Sequence, residues 1–243
     1  MRRPPKWLLA GLGAGALAWI VSLMRARGRP LVLYQTRADT GVSEMRETAD
    51  RIHNVLQGDR VPVGSAADVY RALESRPRRS AGPVVIVGHG TPREILPQYN
   101  LDLARLARGL AHVTVQRGVI GLANCRTAAN PGEPDWYAGS YGPGGERGVA
   151  ARLRDALYAL GWRGSVRAHA TVGHVTANPA AREFPSGWGQ AGQPGLSVLD
   201  LVWGEGAWCE ERLRDAWRDA MRGKAAELWI TGWPLPRIPI PTA

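Results

Sequence analysis

Cysteine is scarce in these 243 residues: there are two, Cys125 and Cys209, too few for the disulfide framework of a small secreted scaffold. No Gly-x-Ser-x-Gly elbow occurs, which disfavours a serine-type α/β-hydrolase. Neither a P-loop nor a Gly-x-Gly-x-x-Gly turn follows the first strand signal, so the usual nucleotide cradles are missing. No internal repeat is present. Acidic residues are absent from the first thirty positions, where six of the 31 basic residues lie (Arg2, Arg3, Lys6, Arg25, Arg27 and Arg29). The remainder carries 25 basic against 21 acidic residues, so most of the net charge of +10 flanks one apolar segment. Basic residues interleaved with aromatics, as on a nucleic-acid surface, are not evident, and no nucleic-acid partner is expected.

That apolar segment, Trp7 to Met24, has no charged residue. As a helix it would be about 27 Å long, close to the thickness of the hydrocarbon layer. It reads as a single-pass N-terminal membrane anchor within residues 1–29, with a cleaved secretion signal as the rival. Basic residues on both flanks leave its sidedness open.

The remaining chain alternates strand and helix signals. Pro30 to Arg37 is a first strand; Ser43 to Leu56 is a helix that Ser43 would cap; Arg60 to Val63 is a short strand; Ser65 to Ser75 is a second helix. The unbroken apolar run from Pro83 ends in Gly88-His89-Gly90, and the run from Gly118 ends in Asn124-Cys125. Between them Asn100 to Leu110 has helical spacing, with Asn100 as its expected N-cap. Strand, helix, strand is a parallel crossover, which brings His89 and Cys125 to the same carboxyl-terminal edge of adjacent strands. Thr127 to Gly145 is rich in chain breakers, with Asp135, Trp136, Tyr137 and Tyr141 available to line a pocket. Gly148 to Leu160 reads as a helix, Ser165 to Val172 as a strand ending near His174, and Ala207 to Leu228 as a last helix turning Leu213, Trp217, Ala220 and Met221 inward. Residues 178–203 give no clear period. The expected architecture is an α/β domain of three layers, αβα, with a mostly parallel sheet over residues 30–177, followed by a Trp- and Pro-rich extension, 178–243, whose helix packs on it.

A thiol nucleophile needs a base, and a histidine on the next strand supplies one without adjacency in sequence. Gly90 lets the backbone after His89 approach a substrate, so its N–H and that of Cys125 could face an oxyanion. Arg126 would add positive potential beside the thiol. A strand ending in His89-Gly90 followed by one ending in Asn124-Cys125 resembles the caspase-like cysteine peptidases, the group of caspases, gingipains, legumains and CHAT domains. Asn124 stands where that group has a small residue. The resemblance covers roughly Leu31 to Val172 and implies that Cys125 attacks a scissile carbonyl while His89 protonates the leaving amine. It implies a peptide or protein substrate and no cofactor. For specificity it offers Arg37, placed like the caspase arginine that receives an acidic side chain, or Asp39 and Asp135 as acids for basic substrates; His174 is a further pocket residue.

Other readings of these residues stay open. A cysteine closing a buried strand is also a small core hydrophobe, and a histidine after a strand also caps loop backbone. His169 and His174, five apart on a strand, would point to opposite faces, so a shared metal is not expected. A noncatalytic membrane-tethered module, docking a partner through Trp188 to Trp233 and the proline tail, is the alternative function. The sequence leaves the oligomeric state open.

Overall fold

Apolar runs long enough to be buried on both faces become the inner strands of one sheet, as parallel strands require. A computed structural model describes residues 28–135, 144–172, 178–187, 196–204 and 206–221. The expected membrane segment lies outside these residues; among the described ones no helix is long and apolar enough to cross a membrane.

Seven strands form the sheet: β1 Arg29–Gln35, β2 Asp59–Val63, β3 Ala81–Val87, β4 Val119–Ala123, β5 Ser165–His169, β6 Ala181–Pro185 and β7 Leu196–Ser197. Their order is β2-β1-β3-β4-β5-β6-β7. The first five are parallel; at one edge β6 runs antiparallel to β5, and β7 antiparallel to β6. The α/β class with a mostly parallel sheet is therefore as expected. β6 and β7 join the same sheet as β1–β5, and neither was foreseen from sequence.

The alternation of side chains along β1 sorts the helices. Val32 and Tyr34, with Val85, Val87 and Ala123, pack against Met45, Ala49 and Ile52 of α1 (Val42–Leu56). Leu31 and Leu33, with Val84, Ile86, Ile120 and Leu122, share the larger core with α2 (Ala66–Glu74), α3 (Leu103–Val113) and α4 (Val149–Ala159). Helices thus cover both faces. Right-handed crossovers produce this division: the chain winds from β1 outward to β2, then back across to β3, β4 and β5. The reversal falls between β1 and β3, where doubly wound sheets open a crevice at the carboxyl ends of the strands. α5 (Val198–Trp203) and α6 (Glu211–Met221) follow β7, and Leu199, Leu213 and Trp217 complete the larger core.

Two expected caps are replaced. Ser43 does not cap α1; the helix begins one residue earlier, behind Gly41, whose φ of 73° is left-handed. Asn100 does not cap α3 either. It sits at φ 49°, closing a short 3-10 turn over Pro97–Tyr99, while Asp102 accepts from the Arg105 N–H and takes the cap. The fifth strand stops at His169 rather than Val172. The last helix starts at Glu211, after a 3-10 turn at Ala207–Cys209.

Candidate active site at the carboxyl edge

The register of β3 on β4 ends with Val87 opposite Ala123, and His89 and Cys125 follow two residues later on each chain. The loops leaving these strands touch. A Cβ on Gly90 would lie 2.6 Å from the Thr127 methyl, 2.7 Å from Asn124 Cβ and 2.9 Å from the Cys125 carbonyl oxygen, so only glycine permits the approach. Gly90 was expected to bring backbone near a substrate; it also brings the His89 loop onto the Cys125 loop.

Four contacts fix His89. Its N–H donates to Oε1 of the fully buried Gln35 at 2.9 Å, and its carbonyl accepts from Asn124 Nδ2 at 3.1 Å and from the Leu96 N–H at 3.0 Å. The fourth contact bears on chemistry: ring atom Nε2 lies 3.0 Å from the Thr40 carbonyl. A carbonyl can only accept, so Nε2 carries the hydrogen and Nδ1 of the neutral ring is left as the basic nitrogen. Gly41, next to Thr40, would place a Cβ 3.7 Å from the ring carbon Cε1. Its left-handed turn is what seats the imidazole against the start of α1.

Gln35 ties this arrangement to β1. Its Nε2 donates to the Arg37 carbonyl at 3.0 Å and to Gln98 Oε1 at 3.1 Å. The Arg37 N–H meets the Tyr99 hydroxyl, which itself donates to the Val63 carbonyl at 2.7 Å. Burial raises the Tyr99 phenol above its ordinary pKa, so it remains a donor. Arg37 and Asp39 are exposed on the β1–α1 loop, on the His89 side, and both side chains face solvent.

Cys125 is half-buried, and both cysteines are thiols, not a disulfide. Arg126 follows in a left-handed conformation, φ 58°, and the chain turns back: its N–H reaches the Thr171 carbonyl at 3.2 Å, the Ala128 N–H the His169 carbonyl at 2.9 Å. The Arg126 guanidinium forms an ion pair with Asp135 and donates to the Glu133 carbonyl at 2.7 Å. The charge of Arg126 beside the thiol is thus shared with Asp135, whose side chain stays largely exposed. Asn130 braces the same loop, donating to Glu133 Oε1 at 2.6 Å and accepting from the Arg147 N–H at 3.0 Å.

The Gly90 N–H donates to no acceptor among the described residues. His174, Trp136, Tyr137 and Tyr141 lie outside the described residues. Among the described residues no group of three or more His, Cys, Asp or Glu side chains could hold a metal ion. His169, considered above as a ligand, is buried in β5 with both ring nitrogens unpartnered, and burial lowers its pKa to about 3. Gln35, Thr40 and Asn124 were not singled out by sequence as site residues. Each acts through a contact between distant segments, and only the strand-end position of Asn124 hinted at it. An open cleft between Arg29, Asp50, His53, Asp59, Arg60 and Arg76 lies at the opposite, amino-terminal edge. Compared with protein-family models, with curated proteins and with solved structures, the chain matches none.

Proposed function

We propose that the chain is a cysteine peptidase of the caspase-like type, tethered to a membrane through residues 7–24 and acting through His89 and Cys125. The observation that carries this reading is the Thr40 carbonyl on His89 Nε2, which fixes the tautomer with Nδ1 bare at a strand end adjoining that of Cys125. Nδ1 takes the Sγ proton as the thiolate adds to the scissile carbonyl carbon. The N–H groups of Gly90 and Cys125 receive the oxyanion. Collapse breaks the C–N bond, and the imidazolium returns its proton to the departing amine, leaving a thioester. Water, deprotonated by the same nitrogen, then releases the acid and restores the thiol. Substrate side chains meet Arg37 and Asp39 on the β1–α1 loop, and no cofactor enters the sequence of steps.

Cys209, an exposed thiol remote in sequence from the site, supplies an internal reference for the test. In the intact chain in mild detergent at neutral pH, iodoacetamide should alkylate Cys125 faster than Cys209. The His89→Ala variant should slow Cys125 by about tenfold or more, at the low end of what positioned bases contribute, and leave Cys209 unchanged. A Cys125 rate indifferent to His89 would sink the dyad.

A further inference from the structure

The five parallel strands put all their amino ends at one edge, opposite the candidate site, and the loops there are strongly basic. Arg76, Arg78 and Arg79 lie in the loop before β3, Arg117 in the loop before β4, Arg163 in the loop before β5, and Arg29 at the start of β1. The carboxylates on this edge are already engaged. Asp59 accepts from Arg29 at 3.0 Å and from Arg76 at 2.7 Å, and Asp50 pairs with Arg60. Glu74, at the end of α2, is held by Arg105 at 3.0 Å. Arg78, Arg79 and Arg117 are exposed, and no carboxylate among the described residues meets them. The carboxyl edge is different: Asp39, Glu94, Asp102 and Asp135 there offset Arg37, Arg93 and Arg126.

The basic loops are held in shape by backbone contacts. The Arg79 N–H donates to the His112 carbonyl at 2.8 Å, the Arg29 N–H to the Ser80 carbonyl at 2.9 Å, and His112 Nε2 to the Arg76 carbonyl at 3.0 Å. Their charges are thus presented together. The chain also enters the domain at this edge, through Gly28 into β1. Met24, the end of the apolar segment, precedes Arg29 by five residues, a span of about 18 Å at most when extended.

We propose that this amino-terminal edge is a docking face for anionic lipid headgroups, so that the domain stands on the bilayer with its candidate site pointing away. The proposal rests on the membrane reading of residues 7–24 for the proximity of the surface, and on the charge of the edge for its sign. Arginines near an anionic leaflet each strengthen attachment roughly fivefold. With the seven-residue strand β3 upright, the site stands about 23 Å farther from the surface than the docking face. The substrate is then one that reaches the site from the water phase rather than from within the bilayer.

Trypsin reads this directly, because it cuts after exposed Arg78 and Arg79 on the basic edge and after exposed Arg93 on the opposite one. The intact chain would be reconstituted into phosphatidylcholine vesicles with and without phosphatidylserine. Cutting after Arg78 and Arg79 should slow about tenfold with phosphatidylserine, relative to cutting after Arg93. High salt, which shortens screening from about 10 to about 3 Å, should remove the protection. Arg117→Glu should weaken it several-fold. Equal cutting in both lipids would overturn the proposal. So would equal protection by a random DNA duplex in the absence of lipid, which would assign the face to polyanions generally. Alkaline extraction of the vesicles reads the anchor separately: a chain that washes off lacks the anchor, while the trypsin ratio still decides the docking face.

Discussion

Asn124 directly precedes Cys125, and its contacts reach the end of the neighbouring strand. It is fully buried and donates from Nδ2 to the His89 carbonyl, across 35 residues of sequence, so it joins the two strand ends that the dyad would need. Asn124→Ala should cost about 1–2 kcal/mol, the size of a buried hydrogen bond lost, read as a shift of the urea midpoint. Because that bond positions His89, the variant should also slow iodoacetamide at Cys125 while leaving Cys209 unaffected, a change that a purely structural role would not produce. His169 is a residue of another kind. Burial without a partner lowers its pKa from about 6.5 to about 3, so the folded chain keeps it neutral while the unfolded chain protonates it below about 6.5. Its contribution is complete above that pH and is lost as pH falls toward 3, at about 1.4 kcal/mol per unit. Between pH 7 and pH 5 the unfolding free energy should drop by about 2 kcal/mol from this group, and His169→Leu should flatten that slope. A slope unchanged in the variant would show that other groups carry the pH dependence.

Elements differ in how far the sequence announces them. β3 and β4 were legible because strands buried on both faces read as continuous apolar runs, and each ends at the glycine or polar residue that breaks the run. α4 was legible at both ends. Gly148 precedes it, and after it the Gly161 N–H returns to the Tyr158 carbonyl and the Trp162 N–H to the Leu157 carbonyl, the paired bonds that a glycine in the left-handed region allows. α1 and α3 were placed correctly as helices but capped wrongly. Gly41 and Asp102 take those positions because of tertiary contacts: Gly41 lies against His89, and the Asp102 N–H meets the Tyr70 hydroxyl at 2.8 Å. β6 was not legible at all. Its five residues include adjacent Arg182 and Glu183 and close on Pro185, and the half-buried Glu183 is paired with Arg167 of β5 at 3.3 Å. The site divides the same way. His89 and Cys125 stand at strand ends and could be read; Gln35 and Thr40 meet His89 from 54 and 49 residues away, and no local pattern encodes such a pairing.

At the scale of the whole molecule, the question is whether the chain beyond β5 is a detachable docking surface or part of the fold. β6 pairs along its full length with β5, from Ser165 opposite Pro185 to His169 opposite Ala181. Phe184 from β6, Leu199 from α5, and Leu213 and Trp217 from α6 lie in the same core as Val166 and Ala168. Trp217 is 1% exposed, so at least this tryptophan serves packing and offers no surface to a partner. Trp203 is partly buried against the same core. These contacts couple α6 to the sheet, and coupled elements unfold together. Trp217→Ala should therefore lower the stability of the entire domain, by the roughly 3–5 kcal/mol typical of truncating a buried large aromatic. The loss should appear as one cooperative transition, with the fluorescence of the remaining tryptophans and the far-ultraviolet circular dichroism moving to the same lower midpoint. Two separate transitions, the earlier one sensitive to the substitution and the later one not, would mean that α6 and its neighbours are an independent module. The docking interpretation of the tryptophan-rich stretch would then regain its footing.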